Sequence, residues 1–301
     1  NFDGITYAKG ASVLKLLVSF VGQDAFIAGV SEYFKKHAYG NTVLGDLLTE
    51  LETASGKDLS WFTSQWLETS GVNTLRADFD VDGEGRFTRF EIVQSAPEQW
   101  PTLRTHRVGI GLYSGDERKE YVEVDVRDER TPVEALIGKP REEVVLVNDG
   151  DLTFAKVRLD EATLDALRTP LSDPLARAVS WTALWDMTRD GELPSRDYID
   201  LVLAGLSVET DMAAKSTLLN QARTAASAYT APELRDDLNR HLVAGLARLL
   251  RDSEPGSDKQ VLLAKALIAS ANSDEAVTLI GGWLTGEEVP AGLKIDTAMR
   301  W

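Results

Sequence analysis

The chain has 301 residues, the size of two or three ordinary domains and enough for a substantial buried core. Its 43% hydrophobic and 27% charged residues are typical of a folded globular protein and exclude a disordered or fibrous chain. Lys and Arg number 32 against 48 for Asp and Glu, a net charge of −16. Because such a chain would repel a polyanion, we expect no nucleic-acid partner.

The sequence contains no apolar stretch of the roughly 20 residues that a membrane-spanning helix needs. The long apolar segment at residues 13–21 is interrupted by Lys15 and Ser19, so we expect no membrane partner. The absence of Cys favours a reducing compartment, and we predict a cytoplasmic protein while leaving secretion open. Residues 1–4 have neither the basic start nor the apolar run of a signal peptide, and we expect an internal cut there.

Helical spacing dominates residues 7–71, where apolar side chains recur as in Val13, Leu14, Leu17 and Val18. Glycine readily takes the left-handed conformation that follows a helix end, and glycines interrupt the pattern four times. The segment therefore predicts about four short helices, which end near Gly22, Gly40, Gly56 and Gly71.

Between residues 74 and 149 the apolar residues recur at every second position instead of at helical spacing. Apolar and polar residues alternate over 75–81 and 87–93, and turn residues separate them at 82–85, which predicts a hairpin. A small β-sandwich of six or seven strands fits this segment better than any helical arrangement. The other predicted strands lie at residues 108–112, 122–126 and 144–147.

Helical spacing returns from residue 160 together with several helix-start signals. Asp173 precedes a first-turn proline, and candidate capping boxes begin at Thr230, Ser257 and Asn272. We predict about six antiparallel helices, whose spacing suggests stacked helix pairs. Joints between domains are expected at residues 150–151 and 170–174.

Spacing alone assigns no chemistry to this chain. Its three histidines form no two-histidine metal motif, and the common phosphate, dinucleotide and nucleophile motifs are absent. We place His37 at a helix C-terminus, where its charge complements the helix dipole, and we expect His106 and His241 at the solvated surface. Four tryptophans at helical spacing are expected in the core, namely Trp61, Trp66, Trp181 and Trp185.

Four landmarks in the same order resemble the aminopeptidase N family of zinc metallopeptidases. Residues 5–14 resemble the start of the family's active-site helix, where Y-x-K-G is formed here by Tyr7, Lys9 and Gly10. The others, at residues 61–71, 147–156 and 292–301, resemble the end of the catalytic domain, the exit from a β-sandwich and a part of the helical C-terminal domain. The ordered set covers essentially the whole chain.

The resemblance implies a multidomain α+β chain. It predicts the C-terminal helical part of a thermolysin-like catalytic domain at residues 1–72, a β-sandwich at 73–153, and the beginning of a solenoid-like α-helical array at 154–301. The family's G-x-M-E-N loop and H-E-x-x-H zinc helix lie upstream of its tyrosine, and neither motif occurs here. The chain is thus expected to be a C-terminal fragment that binds no zinc itself.

Tyr7 is the catalytic residue that the resemblance assigns to this chain. The family's tyrosine faces the scissile carbonyl, whose oxygen gains negative charge when water attacks, and a phenol that is protonated near neutrality can donate a hydrogen bond to it. Lys9 and Gly10 are assigned to local structure. In the parent protein the resemblance implies zinc as the cofactor, and the missing N-terminal half and peptide substrates as partners.

Two function hypotheses follow. The first is that the chain is the C-terminal portion of a zinc aminopeptidase that releases N-terminal residues from peptides and is inactive alone. The alternative is a non-catalytic helical-array scaffold or peptide-binding module that kept the architecture and lost the metal. An upstream H-E-x-x-H motif would support the first hypothesis.

Overall fold

The computed structural model describes residues 4–300. The expected internal cut at Asn1, Phe2 and Asp3, and the end of the last family landmark at Trp301, lie outside the described residues. The chain divides into two compact units. The first comprises Asn1–Ala166 and Asp173–Val179, and the second comprises Leu167–Ser172 and Ser180–Trp301.

The first unit begins with the predicted helices. A π-helical turn, Ile5–Lys9, continues directly into the first α-helix. Gly22 and Gly56 follow helix ends with φ of 95° and 67°, and His37 follows the second helix, as predicted from the sequence. A second π-helical turn, Thr63–Leu67, extends the fourth helix. The four helices are α1 (Gly10–Val21), α2 (Gln23–Lys36), α3 (Leu44–Ser55) and α4 (Ser60–Phe62).

Seven strands follow within the described residues, in two small sheets. They are β1 (Thr74–Val81), β2 (Phe87–Ser95), β3 (His106–Ser114), β4 (Glu117–Val126), β5 (Arg130–Pro132), β6 (Val144–Val147) and β7 (Lys156–Arg158). One sheet has the order β5-β2-β1-β7 and the other has the order β4-β3-β6. The antiparallel pair β1 and β2 is the predicted hairpin, and β7 lies parallel to β1. The structure is thus a mixed α+β fold.

Eight helices follow β6 and β7 along the described chain, where the sequence predicted about six. They are α5 (Glu161–Ala166), α6 (Pro174–Arg189), α7 (Ser195–Gly205), α8 (Met212–Ala228), α9 (Arg235–Arg251), α10 (Asp258–Ser270), α11 (Asp274–Thr285) and α12 (Thr297–Arg300). The division between the compact units falls within α6. The predicted domain boundaries at residues 72 and 153 stay predictions.

Side-chain caps explain several of these helix starts. Asp173 accepts a hydrogen bond from the Ala176 backbone N–H at 2.8 Å, and Ser257 accepts one from that of Gln260 at 3.2 Å, as predicted. The prediction at Thr230 is wrong, because its hydroxyl donates to the Ala225 carbonyl and α9 begins only at Arg235. The predicted start at Asn272 is shifted by one residue, since Ser273 caps α11.

No single helix within residues 4–300 is long and apolar enough to cross a membrane. The pair Thr6–Val21 and Gln23–Lys36 meets the length and composition requirement only when the two helices are taken together, and they meet at 110°.

Candidate functional site

Tyr7 lies in the π-helical turn Ile5–Lys9, immediately before α1. Its side chain is 62% exposed. Lys9 in the same turn is partly buried, and burial together with the positive charge of Arg104 lowers the pKa of its ammonium group. π-helical turns are rare and frequently occur at functional sites. Tyr7 thus lies in one of the two π-helical turns of the described residues, the other being Thr63–Leu67.

The helix behind Tyr7 is anchored by an apolar core. The buried face of α1 contains Leu16 and Leu17, both fully inaccessible to solvent, and it packs with Leu51, Phe62 and Trp66. Burial of such side chains stabilises the folded state by about 1.5–3 kcal/mol each. This core holds α1, and with it the start of the helix at Tyr7, against α3, α4 and the second π-helical turn.

Trp66 connects this core to β3. Its indole Nε1–H donates to the Thr105 carbonyl at 3.2 Å, and its ring contacts His106 edge-to-face at 5.1 Å between centroids. The Arg104 guanidinium lies 5.5 Å from the Trp66 ring centroid, within cation–π range. The ring therefore bridges the apolar core and a buried polar cluster.

Arg104 is buried, and the acceptors of its guanidinium are all uncharged. It donates to the carbonyl oxygens of Gln65 at 2.7 Å and Ser70 at 2.8 Å, to Asn73 Oδ1 at 2.9 Å, and to Thr69 Oγ1 at 2.9 Å. Carbonyls at the end of a helical segment carry partial negative charge, which favours a cation there. Burial lowers the pKa of Arg104. Arg104 thus closes the end of the segment that contains Trp66.

His106 is completely buried, so its predicted placement at the solvated surface is wrong. Its Nδ1 lies 2.7 Å from Thr153 Oγ1, and its Nε2 lies 3.3 Å from Asn73 Oδ1 and 3.2 Å from Gln94 Oε1. We assign the proton to Nε2, because both facing atoms there are acceptors, and Nδ1 accepts from the Thr153 hydroxyl. Burial, with a smaller effect of the Arg104 cation, lowers the pKa of His106 to about 3.

The other sequence expectations are met more closely. His37 is the residue that follows α2, and His241 Nε2 forms a half-exposed pair with Asp200 Oδ1 at 2.5 Å. Trp66 and Trp181 are buried. Trp61 and Trp185 are partly buried.

Histidine, cysteine and carboxylate side chains nowhere cluster, within residues 4–300, in a group of three that could hold a metal ion. The two buried or paired histidines, His106 and His241, are engaged by Thr153 and Asp200. The described residues therefore do not fit a zinc site.

Five large apolar side chains between residues 14 and 43 of the first unit are exposed. Ile27 and Phe34, two helical turns apart on one face of α2, are 57% and 67% exposed. Leu14 on α1, and Tyr39 and Val43 between α2 and α3, are also exposed. These five residues define what we call the α1–α3 apolar surface. Exposed apolar residues mark an interaction surface when they form one patch.

Comparison with known proteins assigns the family. Residues 1–66 match the model of the peptidase family M1 domain, and residues 144–301 match that of the ERAP1-like C-terminal domain. The whole chain is 46% identical to aminopeptidase N of Streptomyces lividans over 315 aligned residues. The chain belongs to the aminopeptidase N family. The resemblance seen in the sequence is thereby confirmed.

The chain spans well under half the length of the relatives to which it is compared. It covers 37% of the Streptomyces lividans protein, and 24% of the tricorn protease-interacting factor F2 of Thermoplasma volcanium, with which 67% of this chain is 28% identical. Among solved structures, 95% of the chain matches 38% of Legionella pneumophila aminopeptidase A, solved in complex with aspartic acid, with a TM-score of 0.62 and 14% identity. That structural match supports the fold alone.

Sequence reasoning missed the polar cluster around Arg104 and His106, although one signal was present. His106 lies an even number of residues before Val108, Ile110 and Leu112, which are all buried in β3. Period-two alternation therefore puts His106 on the inward side of the strand.

Proposed function

We propose that this chain is the C-terminal portion of a zinc-dependent aminopeptidase that releases N-terminal amino acids from peptides. The observation that carries the proposal is the 46% identity with an aminopeptidase N along the entire chain, together with the peptidase family M1 match at residues 1–66, which includes Tyr7. In the same proposal, residues 1–72 end a thermolysin-like catalytic domain, the two sheets form a β-sandwich, and the later helices form a solenoid-like array.

The zinc ligands of the proposed enzyme would have to come from a longer protein. The side chains described here do not fit the metal, because no group of three suitable ligands converges among residues 4–300. We therefore propose that the chain is inactive alone and that the missing N-terminal half of the same protein is its partner. The α1–α3 apolar surface supports that proposal, since it offers this partner an apolar face.

Tyr7 is the group through which this chain would act on the substrate. When a peptide bond is attacked, its carbonyl oxygen gains negative charge, and a hydrogen-bond donor placed there stabilises the transition state more than the ground state. The Tyr7 phenol is exposed and lies at the start of a helix that is packed in the core. We propose that its O–H donates to that oxygen.

The test compares this chain with a longer protein that contains the family's upstream zinc motifs. We expect the 301-residue chain to hold no stoichiometric zinc after dialysis and to leave an aminoacyl anilide uncleaved, because it lacks a ligand set. Joined to the missing half, it should bind one zinc and cleave. If the joined protein folds but neither binds zinc nor cleaves peptides, the scaffold hypothesis is supported instead.

A further inference from the structure

A cleft of about 270 Å³ lies in the first unit. We call it the Trp61 cleft. Its volume is close to the lower end of the range of small-molecule pockets, about 300–1,000 Å³, which suits a ligand the size of one amino acid. Its lining residues are Phe20, Lys57, Asp58, Trp61, Asp125 and Arg127.

The apolar side of the cleft is aromatic. Phe20 and Trp61 contact each other edge-to-face, with 5.0 Å between ring centroids. Trp61 is held in place because its indole Nε1–H donates to the Asp58 carbonyl at 2.9 Å. A fixed aromatic surface of this kind favours an apolar or aromatic side chain.

The charged sides of the cleft balance each other. Two cations, Lys57 and Arg127, face two carboxylates, Asp58 and Asp125, so the lining has no net charge in a protein whose net charge is −16. A ligand that matches this lining carries one charge of each sign and an apolar body.

The cations keep binding capacity for a carboxylate. Arg127 makes no hydrogen bond or ion pair with any residue in the described part of the chain, and Lys57 uses its ammonium group for the Phe20 carbonyl. An arginine fork matches the two oxygens of a carboxylate. Hydrogen bonds from Ser60, and to a smaller extent the positive charge of Arg127, lower the pKa of Asp58, so its carboxylate is ionised.

The carboxylates keep capacity for an ammonium group. Asp125 is paired with Arg107 through Oδ1 at 2.8 Å, and Asp58 accepts the Ser60 backbone N–H through Oδ1 at 2.9 Å. An α-ammonium group between them would also face the Trp61 ring, a favourable cation–π partner.

We propose that the Trp61 cleft binds a free α-amino acid with an apolar or aromatic side chain. Its α-carboxylate pairs with Arg127 and Lys57, its α-ammonium group with Asp58 and Asp125, and its side chain packs on Phe20 and Trp61. That such a ligand is also of the class released by the reaction rests on the proposed function; binding itself does not.

The experiment titrates the 301-residue chain with L-phenylalanine and L-leucine by calorimetry, with the Trp61 indole N–H followed by NMR and assigned with Trp61→Phe. We expect saturable one-site binding with a Kd of about 1 mM or tighter and a shift of the Trp61 signal. Arg127→Gln should weaken binding about tenfold or more. Arg76→Gln, an exposed arginine outside the cleft, should leave it unchanged.

Two analogues test the ligand class. N-acetyl-L-phenylalanine lacks the ammonium charge and L-phenylalaninamide lacks the carboxylate, and each should bind at least about tenfold more weakly than L-phenylalanine. The proposal is overturned by no saturable binding at about 20 mM, by equal binding of either analogue, or by equal effects of the two arginine substitutions. None of these readouts needs zinc or peptidase activity, so their failure is distinguishable from failure of the proposed function.

Discussion

Two glycines in β3 make room for Asp149, one for its backbone carbonyl and the other for its buried carboxylate. A Cβ atom on Gly109 would lie 2.2 Å from the Asp149 carbonyl oxygen, and one on Gly111 would lie 2.1 Å from Asp149 Oδ2. That oxygen accepts hydrogen bonds from the Tyr113 hydroxyl at 2.8 Å and from Arg118 at 3.2 Å. Because the carboxylate is only 2% exposed, it cannot move aside without losing these partners.

Replacement of Gly111 by Ala should therefore destabilise the protein by about 3 kcal/mol, from steric overlap and a disturbed buried carboxylate. Gly45→Ala is the control: a Cβ there has no atom within 4 Å, and Gly45 lies in α3. Since Ala favours helices, that variant should be neutral or gain up to about 1 kcal/mol. Urea unfolding measures both, and equal stabilities of the two variants would contradict the prediction.

His106 should make stability depend on pH. Its native pKa is about 3 and a free histidine titrates near 6.5, so between these values the unfolded state binds a proton that the native state does not. The contribution of His106 to the free energy of unfolding is fully present above about pH 6.5 and decreases as the pH falls. At about pH 5 it is smaller by about 2 kcal/mol.

The measurement compares urea unfolding at about pH 7 and pH 5 for the wild type and His106→Gln. On acidification, the free energy of unfolding of the variant should fall by about 2 kcal/mol less than that of the wild type, whatever the stability of the variant at neutral pH. If the His106→Gln variant lost as much stability on acidification as the wild type, His106 would not be the cause of the pH dependence.

Elements were predictable where the sequence pattern was long. α1 to α4 and the strands β1 to β4 and β6 follow the predicted positions, because their periodicity and their turn glycines act locally. The strands β5 and β7 have three residues each, too few to display a period, and they exist because they pair with β2 and β1. Such pairing is long-range information that local spacing does not contain.

At the level of elements, the α1–α3 apolar surface should drive self-association of the 301-residue chain. Phe34→Glu places a charge on that surface and should shift the chain toward monomer in sedimentation velocity. Leu284→Glu adds the same charge at a 52% exposed leucine of α11 and should leave the association unchanged. A chain that is monomeric before substitution, or that responds equally to both variants, would argue against this surface as an interface.

For the whole molecule, the order of helices, sheets and helices could be predicted, and the four landmarks identified the family. The polar cluster could not, since Asn73, Gln94, Arg104, His106 and Thr153 are brought together only by the fold. The turn that carries Tyr7 is similar: its π-helical backbone is not encoded in a spacing of apolar residues. Motif resemblance marked Tyr7 as a candidate, and the surrounding packing explains how its helix is held.

Under the proposed function, the role of Tyr7 is tested in this chain joined to the proposed N-terminal half. Tyr7→Phe keeps the ring and deletes the hydroxyl, so the free energy of unfolding should change little. If the hydroxyl donates to the charged carbonyl oxygen, kcat should fall about 10²- to 10³-fold with a much smaller change in KM, because the bond strengthens in the transition state. Tyr229→Phe, at a 44% exposed tyrosine that follows α8 in the second unit, should leave both constants unchanged. Nearly full turnover in Tyr7→Phe, in a protein that binds zinc and cleaves peptides, would make Tyr7 a structural residue and leave the peptidase assignment intact.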